Sequence, residues 1–156
     1  MLLSYFLMII SFILLCISGA QGYFHFKIYN ATHIQFAFIS TIFYMFAESW
    51  IMFYFIGAGK TIKETILEFN LDKSIYKDVI KSKKKLFPHI TMNVLIIGTV
   101  FVIGGGVQTK VISHNVHGVL FFIGLFHFTY LIYLQHYYFK DTARILSLLG
   151  DLVKGE

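Results

Sequence analysis

Residues 33–60, HIQFAFISTIFYMFAESWIMFYFIGAGK, decide how this chain folds. Between His33 and Lys60 the sole charged side chain is Glu48, and most of the run is Phe, Ile, Met, Ala and Tyr. A helix of about 20 mostly apolar residues crosses the hydrocarbon core of a bilayer, and residues 33–57 are long enough to do so. Three further stretches qualify: 2–22, 87–107 and 117–139. Short polar links, 23–32 and 108–116, join the first two and the last two. A long charged loop, 58–86, lies between the pairs, and residues 140–156 form an amphipathic tail. No repeat or low-complexity linker divides the chain. We therefore expect a single all-α domain over 1–156, an up-and-down four-helix bundle within the membrane.

Composition leads to the same place. Of 156 residues, 57% are hydrophobic and 19% aromatic, and only 13% are charged, about half the share usual in a soluble domain. A soluble protein this small has too much surface to hide so many apolar side chains. The single cysteine, Cys16, excludes an intrachain disulfide framework or a thiolate cluster. Ser18-Gly19-Ala20 looks like a leader cleavage site, but no basic segment precedes the first apolar run, which reads as a retained span.

The net charge of +5 is distributed by topology. Eight lysines lie in the 58–86 loop, and Lys140, Arg144 and Lys154 follow the fourth span; the short links hold only Lys27 and Lys110. Basic residues concentrate on the cytoplasmic side of membrane proteins, so the loop and both termini are expected there. The basic run Lys81–Lys85 is placed to meet anionic lipid, at about 1 kcal/mol per side chain, and nucleic-acid binding is not expected. Apolar residues Ile62, Ile66 and Phe69, then Ile75, Val79 and Ile80, fall on helical faces around a break at Asn70–Asp72, with a possible N-cap there. The loop is thus either a projecting helical hairpin or a pair of segments lying on the headgroups.

Polar residues inside the spans are the candidate functional groups. In the second span His33, Ser40, Thr41, Tyr44 and Glu48 share an arc of about 100°. An ionised Glu48 at that depth costs several kcal/mol, so it either carries a proton or has a partner. In the third span, opened by Pro88, His89 and Asn93 share a face, and Gly104-Gly105-Gly106 permits close approach of a neighbouring helix or a flat ligand. Ser4, Ser11 and Ser18 line one face of the first span, which suits helix packing.

Seven histidines are many for a membrane chain. A b-type haem with two histidine ligands needs them on different helices at equal depth. Counting residues from span ends pairs His89 with His136 near the loop side and His33 with His117 at the other. His25 and His114 lie in the adjoining links, so His25, His33, His114 and His117 form a candidate site for copper or zinc. His127 and His136, nine residues apart, point in opposite directions and cannot share a site. Gly57-Ala58-Gly59-Lys60-Thr61 lacks the first glycine and the preceding strand of a phosphate-binding loop. No nucleophile triad, paired carboxylates or His-Glu-x-x-His is present, so a stand-alone enzyme is not expected.

These features lead us to expect a membrane-anchoring or accessory subunit of an energy-transducing complex, of the kind found in a bacterial inner membrane. Its partners would be the lipid bilayer and other membrane subunits, with haem as cofactor. The alternatives are a small transporter or ion-conducting oligomer using Glu48 and the stripe that includes Thr41 and Tyr44, and a scaffold without chemistry. The topology is directly testable. With Cys16 replaced by serine, Lys73→Cys should resist an impermeant thiol reagent in intact cells and react once the membrane is opened. Asn30→Cys should react in both. Labelling of position 73 from outside reverses the orientation.

Overall fold

The structure, a computed structural model, describes residues 1–154. The last two residues of the expected tail, 155 and 156, lie outside the described residues. The chain forms four helices: α1 (Leu2–Phe24), α2 (His33–Glu68), α3 (Ser74–Gln108) and α4 (His114–Lys154). Among the described residues there is no strand. Each helix contains a stretch long and apolar enough to cross a membrane, so the chain is a multi-pass membrane protein. Consecutive helices pack against one another, α1 closes on α4, and α2 also touches α4 across the middle.

The three turns are made by residues other than glycine in left-handed backbone conformations. His25 ends α1, its N–H bonded to the Gln21 carbonyl at 2.9 Å. Tyr29 and Asn30, with φ of 49° and 63°, form a tight turn closed by hydrogen bonds between Ile28 and Ala31. Two positive φ values at the centre mark the primed turn geometry that asparagine favours. Asn70 and Lys110 end α2 and α3, and in each case the next residue bonds back over the helix end, Leu71 to Ile66 and Val111 to Gly106, both at 2.9 Å. This is the Schellman closure. Helix α2 starts with a capping box in which the Thr32 N–H donates to Gln35 Oε1 at 3.0 Å. Asp72 starts α3: its carboxylate accepts from the Ser74 N–H at 2.8 Å and from the Ser74 hydroxyl. These two bonds hold the Asp72 carboxyl below the usual carboxylate range.

The lengths of α2, α3 and α4 decide the fate of the charged loop. At 1.5 Å per residue, the 36 residues of α2 and 41 of α4 run about 54 and 62 Å, against a hydrocarbon core of about 30 Å. Residues 58–86 thus continue α2 and α3 as a helical hairpin with its turn at residues 69–73. The α4 tail packs along it. Ile62, Ile66, Val79, Ile145 and Leu149 form a separate small core there. Lys83 crosses Gly59, where a Cβ would collide with its ammonium group, and burial against this surface lowers its pKa. Because α3 starts at Ser74, Pro88 stands in the helix interior and not in a first turn; it leaves the Lys84 carbonyl without its usual N–H donor.

Inside the spans the main core joins all four helices. Phe55 and Phe139 stack with ring centres 4.9 Å apart, and Tyr5 and Tyr54 close around Phe139. Further along, Tyr44, Ile51, Ile97, Phe128 and Leu131 are fully or almost fully enclosed. Ser4, Ser11, Ser18 and Gln21 of α1 face inward, as their spacing requires. Helices α3 and α4 pack tightly at Gly124, where an added Cβ would lie 2.7 Å from Ile97 Cδ1 and 3.0 Å from Ile96 Cγ2. Gly124→Val should therefore destabilise the bundle by about 1–3 kcal/mol through overpacking. Thermal unfolding in detergent should show the loss, while Gly118→Val, where a Cβ meets nothing within 4 Å, should be tolerated far better.

Candidate functional site

Two groups of polar side chains occupy the interior, one near the middle of the spans and one at the end away from the lysines. The middle group is built on the inward face of α2. Tyr44 and Glu48 are one turn apart and both are 0% exposed. The Tyr44 hydroxyl donates to Asn93 Oδ1 on α3 at 2.6 Å, and Asn93 Nδ2 donates to the Gly124 carbonyl on α4 at 2.9 Å. Gln135 of α4 donates from Nε2 to Glu48 Oε2 at 2.6 Å. Ser40 and Thr41 continue the buried stripe, with the Ser40 hydroxyl donating to the Phe36 carbonyl at 2.8 Å.

Glu48 thus has a partner, but that partner is neutral. Among the described residues no cation pairs with it. Its Oε1 and the Oε1 of Gln135 are both buried without a hydrogen-bond partner. A carboxylic acid and a primary amide can form two complementary hydrogen bonds. One of the two is present, and each group keeps one spare oxygen. A proton on Glu48 is the species that suits this arrangement, because an unpaired carboxylate in hydrocarbon costs several kcal/mol.

At the far end, His33 at the start of α2 meets His117 near the start of α4, with ring centres 6.5 Å apart and planes 74° apart. Each ring rests on a glycine of another helix. A Cβ at Gly22 of α1 would come within 2.8 Å of His33 Cε1, and one at Gly104 of α3 within 3.2 Å of His117 Cε1. Nδ1 of both imidazoles is buried without a partner. The glycine run at 104–106 remains helical; Gly104 admits the histidine and Gly106 admits Ile112.

The other histidine pairings expected from residue counts do not form. His89 faces His127, not His136, with Nδ1 to Nε2 at 3.3 Å, and Tyr130 lies against both rings. His136 instead bonds the Tyr5 hydroxyl on α1 at 2.9 Å. Counting from span ends matched depth but not direction. The α4 face toward α3 carries Gly124 and His127, and His136 projects on the opposite side. Nor do His25 and His114 join His33 and His117 in a four-ligand metal site. Both are exposed, and among the described residues no three His, Cys, Asp or Glu side chains gather around a common point.

Gln135, His127 and Tyr5 are the residues that sequence reasoning left without a role. Gln135 carried a usable clue, since it shares a helical face with His117 and Gly124. The chain matches no protein-family model, no curated protein and no solved structure.

The Tyr44–Asn93–Gly124 chain should contribute measurably to stability. Tyr44→Phe leaves Asn93 Oδ1 without its donor and should cost about 1 kcal/mol. Asn93→Ala removes both bonds and a packed side chain, and should lower the unfolding midpoint further. Equal midpoints for the wild type and Tyr44→Phe would show that this bond contributes nothing.

Proposed function

We propose that this chain is a membrane subunit of an energy-transducing assembly, and that His33 and His117 hold the iron of a b-type haem at the end of the bundle away from the lysines. The observation that supports it is the facing of two imidazoles from different helices, each with a buried, unpartnered Nδ1. A metal–imidazole bond is roughly 2 Å, so an ion held between two imidazoles sets their ring centres about 6 Å apart. The two ring centres lie 6.5 Å apart. Two protein ligands without a third favour a metal that brings its own equatorial donors, as a porphyrin does. A zinc ion would need three or four protein ligands. In the His89–His127 pair Nδ1 of His89 and Nε2 of His127 contact one another at 3.3 Å, which leaves Nδ1 of His127 as its one buried, unpartnered nitrogen.

In this reading His33 and His117 would hold the haem, and Gly22 and Gly104 leave room for the imidazole rings. The haem supplies one-electron chemistry, and the inner membrane of a bacterium, with the lysine-rich hairpin in the cytoplasm, is the setting. Partner subunits would cover the exposed apolar faces of α1 and α4, which include Phe6, Ile9, Ile13, Phe122 and Phe126. The purified protein should show a Soret band that shifts on reduction with dithionite. His33→Ala or His117→Ala should abolish it, and His89→Ala should leave it. A colourless wild-type protein, prepared with haem supplied, ends this reading.

A second reading rests on Glu48. An enclosed carboxyl group with a neutral partner and a spare oxygen can take up and release a proton within the membrane. That supports a small proton-linked transporter or ion-conducting oligomer. Glu48→Gln should then reduce proton flux in proteoliposomes by at least tenfold while the protein remains folded. Unchanged flux excludes this role.

A further inference from the structure

The polar side chains between α3 and α4 at the lysine-rich end belong to neither interior group. There the two helices flank an open groove of about 400 Å³. Lys81 and Lys85 stand on its α3 wall, one turn apart, and Arg144 on its α4 wall. Tyr133 and Tyr137 form the side nearer the membrane and are largely exposed. Tyrosines of this kind sit where hydrocarbon gives way to headgroups. The groove is thus at headgroup depth and opens outward.

Its charge is unevenly satisfied. Asp141 within the groove is engaged by Arg144 at 2.8 Å and by the Ser82 hydroxyl at 3.3 Å. Asp78 is also on the wall, but it is exposed and forms no ion pair. Lys81 and Lys85 likewise form no ion pair among the described residues. Two lysines one helical turn apart line one groove together with two tyrosines. An ammonium group binds phosphate as a point charge with several donors. Basic pockets between helices at this depth suit phosphate-bearing headgroups.

We propose that this groove binds the phosphate of an anionic phospholipid headgroup, with Lys81 and Lys85 as the charge-bearing contacts and Tyr133 and Tyr137 flanking the glycerol region. Arg144 offsets the charge of Asp141, with which it pairs at 2.8 Å. The site is a defined one, distinct from the general attraction of a basic loop for an acidic membrane. Free phosphate shares the chemistry and is the alternative source.

The full-length protein in neutral detergent provides the test. Its thermal midpoint is followed on titration with phosphatidylglycerol, with phosphatidylcholine, and with inorganic phosphate. Phosphatidylglycerol should raise the midpoint saturably, and phosphatidylcholine should not. Lys81→Gln with Lys85→Gln should weaken the apparent affinity about 30-fold, which corresponds to roughly 2 kcal/mol at about 1 kcal/mol per basic side chain. Lys81→Arg with Lys85→Arg should retain most of it. Lys60→Gln with Lys63→Gln, which removes equal charge from the α2 arm, should leave it unchanged. If inorganic phosphate alone saturates the effect at equal affinity, the phosphate site stands and its source is soluble. If both glutamine pairs weaken binding equally, or phosphatidylcholine acts as strongly, the proposal is overturned.

Discussion

A polar atom surrounded by hydrocarbon has no water to bind, and that constraint organises the interior of this bundle. Backbone groups are satisfied within the helices themselves, as they must be in lipid. The polar side chains have to find one another across helices, and they do so on the inward face of α2. Tyr44 reaches Asn93, Asn93 reaches the Gly124 carbonyl, and Gln135 reaches Glu48. Each of these contacts crosses from one helix to another. Together they set the rotation of α2, α3 and α4 about their own axes more specifically than interchangeable apolar contacts can.

Against that background, the unpaired atoms carry information. The spare oxygens of Glu48 and Gln135, and Nδ1 of His33 and of His117, are buried and have no protein partner. Both proposed functions start from these atoms. In the His89–His127 contact one nitrogen of each ring meets the other, and Nδ1 of His127 is also buried without a partner.

The lysine-rich end obeys another rule. Beyond the hydrocarbon, water is available again and apolar burial drives the packing. The projecting parts of α2 and α3 would make a weak pair by themselves. The α4 tail adds Ile145 and Leu149 to Ile62, Ile66 and Val79, which turns the hairpin into a three-helix unit with its own core. The alternation of apolar and lysine residues in 58–86 showed an amphipathic segment. It could not show whether the apolar face met lipid or a third helix, because both remove the same surface from water.

Read alone, the amino-acid sequence determined the number of spans, their approximate limits, the lysine asymmetry and the inward polar stripe of α2. Each of these follows from composition or from a fixed helical period. Residue counting also brought His33 and His117 to the same level, because both lie at the outer ends of spans that follow short links. It mispaired His89 with His136, and it gathered His25 and His114 into a metal cluster that does not form. Depth along a helix can be counted, but the direction a side chain faces depends on how each helix is rotated against its neighbours. Gly124, Gly22 and Gly104 help to set those rotations through contacts between residues far apart in the chain. Only the tertiary structure could decide which histidines meet, and which buried atoms are left without partners.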